Sequence, residues 1–395
     1  MGKVIGNVGL LDLTTSSEES INEIEQIGNV GMLIYSRETA RLASKINIMN
    51  LGASEEVPED CKFISGQVEI DRNYFQNIKS PVSLLLAGQI TIKQDVSKED
   101  IENGIKYLSI SGQVMCPEKL IGVLQSKCSK INGQLLPYSN NHFISTGKLN
   151  IDISFLKATE NSVSLLLIGK MTMLDDIPEA LFNEKVESIN IIGKALVREE
   201  YLEMFKRKLR SGSNCKIQVV PRGYSYIADD LKLDTMSIKR FDHAKIYTVG
   251  MLQISGDITL ELLKNHIEKI QTKDVIVCRK ELKEPVFELC DDVTVQICDY
   301  SGKVYIIDGE HTLTQSELKY TPEDITYIVR GELTINDDVS PDLMFQKIEH
   351  IDNLGDIFCS GEQCGLVQVK LRTSQGDVIS KDGHTGNSNM GYLKL

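Results

Sequence analysis

The sequence predicts an α/β fold: a right-handed β/α solenoid with a parallel sheet, about 15 rungs in five 81-residue super-repeats. Three observations predict it. One apolar phrase with a fixed glycine recurs as SLLLAGQITI at 83–92, SLLLIGKMTM at 164–173, KIYTVGMLQI at 245–254 and TYIVRGELTI at 326–335. Apolar residues at +2 and +4 from each glycine alternate with polar ones, the period of a strand. Between the glycine phrases lie segments with apolar residues three and four apart, the period of a helix.

The elements follow in a fixed order. Rung one is the strand at Gly9, Gly88, Gly169, Gly250 and Gly331. A helix comes next, as in SEESINEIEQI, SKEDIENGIKYL, PEALFNEKVESI, TLELLKNHIEKI and SPDLMFQKIEHI. In the second copy Ile101, Ile105 and Leu108 fall on one helical face. Ser or Pro with acidic residues opens most copies, as a helix N-terminus favours. Rung two carries Gly31, Gly112, Gly193, Asp274 and Gly355. A second helix follows, as in PEKLIGVLQSK and REEYLEMFKRKL. About 12 further residues then intervene, as in INGQLLPYSNN and CKIQVVPRGYS, and read as an added strand and a turn. Rung three carries Gly66, Gly147, Asp229, Gly309 and Gly391. The third helix is expected to be capped by Asp71, Asp152, Asp234 and Thr314.

Strands of one polarity joined by helices must be parallel, and their crossovers right-handed. The glycine of each rung supplies either close backbone approach or a positive φ. Asp274 and Asp229 stand in for it, and Asp tolerates the left-handed region, so a bend with φ > 0 is expected there. The turn length and the strand–helix alternation resemble leucine-rich repeats. The resemblance spans the whole chain at the level of architecture. No column matches that family's asparagine ladder, so no functional residue is carried across. The reading is one solenoid domain over 1–395, with super-repeats at about 3–82, 83–163, 164–244, 245–325 and 326–395.

Composition narrows the function. The formal net charge is −13, which disfavours nonspecific nucleic-acid binding. The start lacks the basic-then-apolar form of a leader and fits a myristoylation pattern poorly. No apolar run approaches a membrane helix, so a cytoplasmic protein with no membrane contact is expected. The nine cysteines include Cys116, Cys278 and Cys359 in a column shared with Tyr35 and Val197, a core slot. Cys359 and Cys364 have no partners at metal-ligand spacing, so all nine are read as thiols. The six histidines share no repeat column and form no i, i+4 pair. Nucleophile-elbow and P-loop phrases are absent, and no cofactor is expected. SGEQCG at 360–365 reads as a loop. ADDLKLD, with Asp229, Asp230 and Asp234, suggests a calcium loop or a carbohydrate-cleaving carboxylate pair, but structural roles account for two of the three.

Outward positions offer the candidate surface. At +3, rung one has Asp12, Thr91, Thr172, Gln253 and Thr334, a solvated set. Rung two has Ile34, Met115, Leu196, Val277 and Phe358, apolar on the face that should be wet. Either the added strand folds over this row, or the row contacts a partner. Two function classes stand ahead of an enzyme: a non-enzymatic scaffold for protein–protein interaction, and a subunit that stacks head-to-tail on itself. The partner is therefore another protein or a second copy.

Overall fold

The computed structural model describes residues 3–321, 324–381 and 389–395. It is α/β, built from short parallel strands in several sheets. Strand pairing sorts the chain into five sets of neighbouring strands, units 1 to 5. Unit 3 is the plainest: His142–Asn150, Val163–Met173, Val186–Arg198 and Asn214–Val220 lie side by side in chain order. In unit 2 the glycine column interrupts each strand. One sheet there holds Lys62–Ile64, Val82–Leu86, Ile105–Ile110 and Cys128–Ile131, and a second holds Gln67–Ile70, Gln89–Ile92, Gln113–Pro117 and Gln134–Tyr138. Units 4 and 5 are interrupted in the same way, from Tyr224–Ile227 to Ile297–Tyr300 and from Lys303–Ile307 to Asp377–Ser380.

This differs from one continuous sheet in two respects. The added segment is a full fourth rung: Gln134–Tyr138 pairs in register with Gln113–Pro117. The sheets also stop after that rung, and rung three pairs with the rung one that follows it, as His142–Asn150 does with Val163–Met173. The inward +2 and +4 residues, such as Ile90 and Ile92, close a separate apolar core in each unit. Smaller clusters lie between units.

Unit 1 is composite. Its strands are Asn389–Lys394, Lys3–Asp12, Ile24–Tyr35 and Ile48–Glu56, so the C-terminal strand occupies the rung-three place beside the N-terminal one. Leu10 pairs with Tyr392 and Leu11 with Leu393. Leu393 and Leu395 pack on the unit 1 core. The Leu395 N–H donates to the Asp12 carbonyl at 3.1 Å, and the Tyr392 hydroxyl donates to the buried Asp12 carboxylate at 2.7 Å. Asp12 is thus a buried anchor rather than a solvated surface residue. An asparagine ladder also exists here: Asn50 donates to Asn29 at 2.8 Å and Asn29 to Asn7 at 2.6 Å, and Asn389 stands in register with Asn7.

Asp71, Asp152 and Thr314 cap helices as the sequence placed them, whereas Asp234 caps only a turn, and the short 3-10 helix Ile238–Arg240 beyond it starts from Ser237. Asp71 accepts from the Tyr74 N–H at 3.0 Å, Asp152 from Phe155 at 2.7 Å, Thr314 from Glu317 at 3.3 Å, and Asp234 from Ser237 at 2.7 Å. The helices are shorter than their periodicity suggested. Lys98–Gly104 ends before Ile105, which turns to φ −113°, ψ 120° and starts a strand. Ile105 and Leu108 therefore reach the core from a strand. SGEQCG is not a loop; it opens the helix Gly361–Lys370, and Gln363 accepts from the Ser360 N–H at 3.0 Å.

The glycine column works chiefly through close approach. A Cβ on Gly9 would lie 2.6 Å from the Gly391 carbonyl oxygen, and one on Gly31 2.7 Å from that of Gly9. The same overlap would strike Gly331 on Gly309, Gly355 on Gly331 and Gly376 on Gly355. The first rung of a unit has nothing in front of it, and Gly309 meets no atom within 4 Å. Positive φ in this column is confined to units 2 and 3, as at Gly88 (127°) and Gly169 (143°). Asp274 is not in the left-handed region; its carboxylate has another use.

Candidate functional site at the unit joints

The apolar row of rung two is not a free surface. Ile34, Met115, Leu196 and Val277 are all 0–1% exposed. Each packs in a small cluster with a residue of the next unit's rung one: Ile34 with Leu85, Met115 with Leu166, Leu196 with Tyr247, Val277 with Ile328. The partner lies 51 positions later in every case. The fourth rung contributes Leu136 and Tyr138, Val220, or Cys298 and Tyr300. The cover is therefore mainly the following unit, with the added strand in support. Phe358, in unit 5, is half-buried, as is Ile379 beside it.

At the other end, the facing position of unit 1 is Gly6, with Gly28 beside it in register order. Val4 (47% exposed) and Met49 (65%) flank that face. The expected interaction row thus splits into four buried joint residues and one half-buried residue, Phe358.

The joint between units 4 and 5 adds charge. Arg330 Nη1 donates to Asp230 and to Asp308 at 2.6 Å each, and Nη2 to Asp274 at 2.9 Å. Arg372 Nε donates to the fully buried Asp352 at 3.0 Å and Nη1 to Asp299 at 3.3 Å, while Lys283 reaches Asp299 at 2.7 Å. The hydrogen bond from Arg330 holds the Asp230 carboxyl below the usual carboxylate range. Burial works against the charge on Asp299, but Lys283 and Arg372 outweigh it and the carboxyl is lowered overall. Gln296 of unit 4 donates to Thr373 of unit 5 at 3.1 Å. The sequence showed these aspartates as surplus acid; their arginine, 100 residues away from Asp230, carried no local signal.

The residues singled out for chemistry serve packing. Asp230 pairs with Arg330 and Asp234 caps a turn, so the 229–234 carboxylates do not converge on one site. His142 Nδ1 accepts from the Ser139 N–H at 3.0 Å, and burial with the Arg210 charge lowers its pKa. It lines an open groove of about 610 Å³ with Phe143 and Phe155, whose rings meet edge to face. The Arg222 backbone N–H donates to Glu199, and the Tyr224 hydroxyl to Asp291. Cys116 and Cys278 are buried core thiols, each pushed up to about 12 mainly by burial. Cys359 is buried but is not a thiol: it is joined to Cys364, with Cα atoms 5.4 Å apart. The strand-end column and the new helix bring the pair together, and a five-residue separation in a supposed loop gave no sign of it. Among the described residues no His, Cys, Asp and Glu cluster is placed to hold a metal, and no helix is long and apolar enough to cross a membrane.

Comparison of the chain with known protein families, curated proteins and solved structures returns no match.

Proposed function

We propose that the chain is a non-enzymatic scaffold for protein–protein contact, and that its docking surface is the outward face of unit 5 around Phe358 and Ile379. One observation carries the reading. The same outward position is sealed by the next unit at Ile34, Met115, Leu196 and Val277, and is only half-buried at Phe358. A sheet face built for a partner at four positions is suited to one at the fifth. Each unit is read as a short right-handed β/α coil resembling a piece of leucine-rich repeat. Use of Asp230, Asp234 and Asp274 in caps and ion pairs supports a scaffold over a carboxylate enzyme. Seven of the nine cysteines are unpaired, which suits a reducing compartment such as the cytoplasm, while the Cys359–Cys364 disulfide points the other way.

Affinity capture with the full chain and its Phe358→Asp variant, run side by side, tests the docking face. The expected result is a protein ligand, or a second copy, held by the full chain and lost from the variant. Equal retention by both, with the variant folded by circular dichroism, overturns the reading. A second reading, a self-assembling structural subunit, is favoured by the composite unit 1, whose first strand comes from the far end of the chain.

A further inference from the structure

Unit 5 also differs from the other units on its outer, helical side. Its helices Gln315–Tyr320, Pro341–Lys347 and Gly361–Lys370 lie side by side on successive rungs, anchored in the unit 5 core by Leu318, Met344 and Val367. One or two residues beyond each anchor a large apolar side chain faces water: Tyr320 is 84% exposed, Phe345 59% and Val369 71%. At the matching positions units 2 and 4 carry Asn77, Glu102, Ser126, Arg240, Lys264 and Glu288, and unit 3 has no apolar residue larger than Ala158. The helix ends are tied together around the three apolar residues. Lys347 donates to the Thr321 carbonyl at 3.1 Å, and the Lys370 ammonium lies 4.3 Å from the centre of the Phe345 ring. With about 150–250 Å² per aromatic side chain, the three leave on the order of 400 Å² of apolar surface bare, and a patch of that size commonly marks an interaction site.

We infer that this helical face joins two copies of the chain about a two-fold axis. Charge selects a second copy as the occupant. Each of the three helices has an acid in its first turn, Glu317, Asp342 or Glu362, and a lysine in its last, Lys319, Lys347 or Lys370. The helices run in one direction, so a two-fold rotation turns the lysine ends of one copy onto the acidic starts of the other. About an axis through Phe345, that ring meets its counterpart, Tyr320 meets Val369, and Lys347 comes over Asp342 of the second copy. Glu179–Lys185 in unit 3 has the same charge order without the apolar centre. Size agrees with charge. A stable interface covers about 800 Å² on each partner, a little over half of it apolar, so the three side chains supply nearly all the apolar area required. The face is separate from that of Phe358: it lies across the unit 5 core, on helices instead of strands. Pairing through the helices therefore does not depend on a partner at Phe358.

Light scattering of the full chain tests the dimer at about 0.15 M salt, where a screening length of about 8 Å relieves the repulsion between two acidic copies. The mass should rise with concentration from one chain to two and stop there. Phe345→Glu, folded by circular dichroism, should hold at one chain, whereas Phe358→Asp should still reach two. Asp342→Lys and Lys347→Glu should each weaken association at least severalfold. An equimolar mixture of the two should restore it, because only the mixed pair again sets lysine against acid at both contacts. A wild-type mass fixed at one chain, growth beyond two chains, a dimer untouched by Phe345→Glu, or no restoration in the mixture overturns the two-fold contact. Capture of a different protein through Phe345 by a chain that itself stays single overturns it as well. A dimer lost in Phe358→Asp and kept in Phe345→Glu also overturns it, but leaves the docking face at Phe358 standing. Equal capture of a ligand by wild type and Phe358→Asp removes the docking reading and leaves the dimer untouched.

Discussion

Gly309 and Gly355 sit in the same unit and the same column, yet their surroundings differ. Gly355 lies behind Gly331, whose carbonyl oxygen occupies the space of a Cβ; Gly309 is on the first rung and faces open space. Gly355→Ala is expected to cost about 1–3 kcal/mol, the range for overpacking against atoms that cannot yield. Gly309→Ala should fall within about 0.5 kcal/mol of wild type. Chemical denaturation of the two variants checks the difference. The column was legible in the sequence as spacing, and its cause was not. Aspartate at 274 suggested a left-handed backbone, whereas the side chain is there for Arg330, from another unit. Asp230 and Asp299 both titrate below the ordinary aspartate value when folded. Their contribution is therefore complete above the unfolded value and is lost as pH falls through the lowered folded values. Arg330→Met should remove about 1–2 kcal/mol at neutral pH, the lower part of the range for charged hydrogen bonds because Asp230 and Asp308 face water. The gap between wild type and variant should narrow as pH drops below about 4, the ordinary carboxylate range. Thermal melts across pH measure it, and a gap independent of pH contradicts the clamp.

The elements show where periodicity can mislead. Strands were readable from +2 and +4 alternation, and caps from single Asp, Ser and Thr residues at helix starts. Helix ends were not readable, because Ile105 and Leu108 satisfy a helical face and a buried strand equally well. The outward row was visible as an anomaly, five apolar residues on a face expected to be wet. Its partner 51 residues away was not, since apolar Leu85 and Leu166 already had an explanation inside their own phrase. The pairing can be measured. A double-mutant cycle on Ile34→Ala and Leu85→Ala should give a coupling of about 0.5–3 kcal/mol, as for residues in contact. The cycle Ile34→Ala with Leu166→Ala should be additive within about 0.5 kcal/mol, as for distant sites. Equal coupling in both cycles contradicts joints made unit by unit.

At the scale of the molecule, five small cores are held in sequence by plugged joints and by a strand from each end of the chain. The phrase Asn-x-Gly marks all four strands of unit 1, at Asn7, Asn29, Asn50 and Asn389, and it was the available clue that the last strand belongs with the first. The 81-residue step concealed it, because rung three was counted with the rungs before it and not with those after. Amide hydrogen exchange of the C-terminal peptide, followed by mass spectrometry on the full chain, tests the composite unit most directly. Protection of 390–394 comparable to that of 8–12 is expected, since the two strands share one ladder. Exchange of 390–394 at the rate of an unstructured tail, with 8–12 still protected, would contradict it.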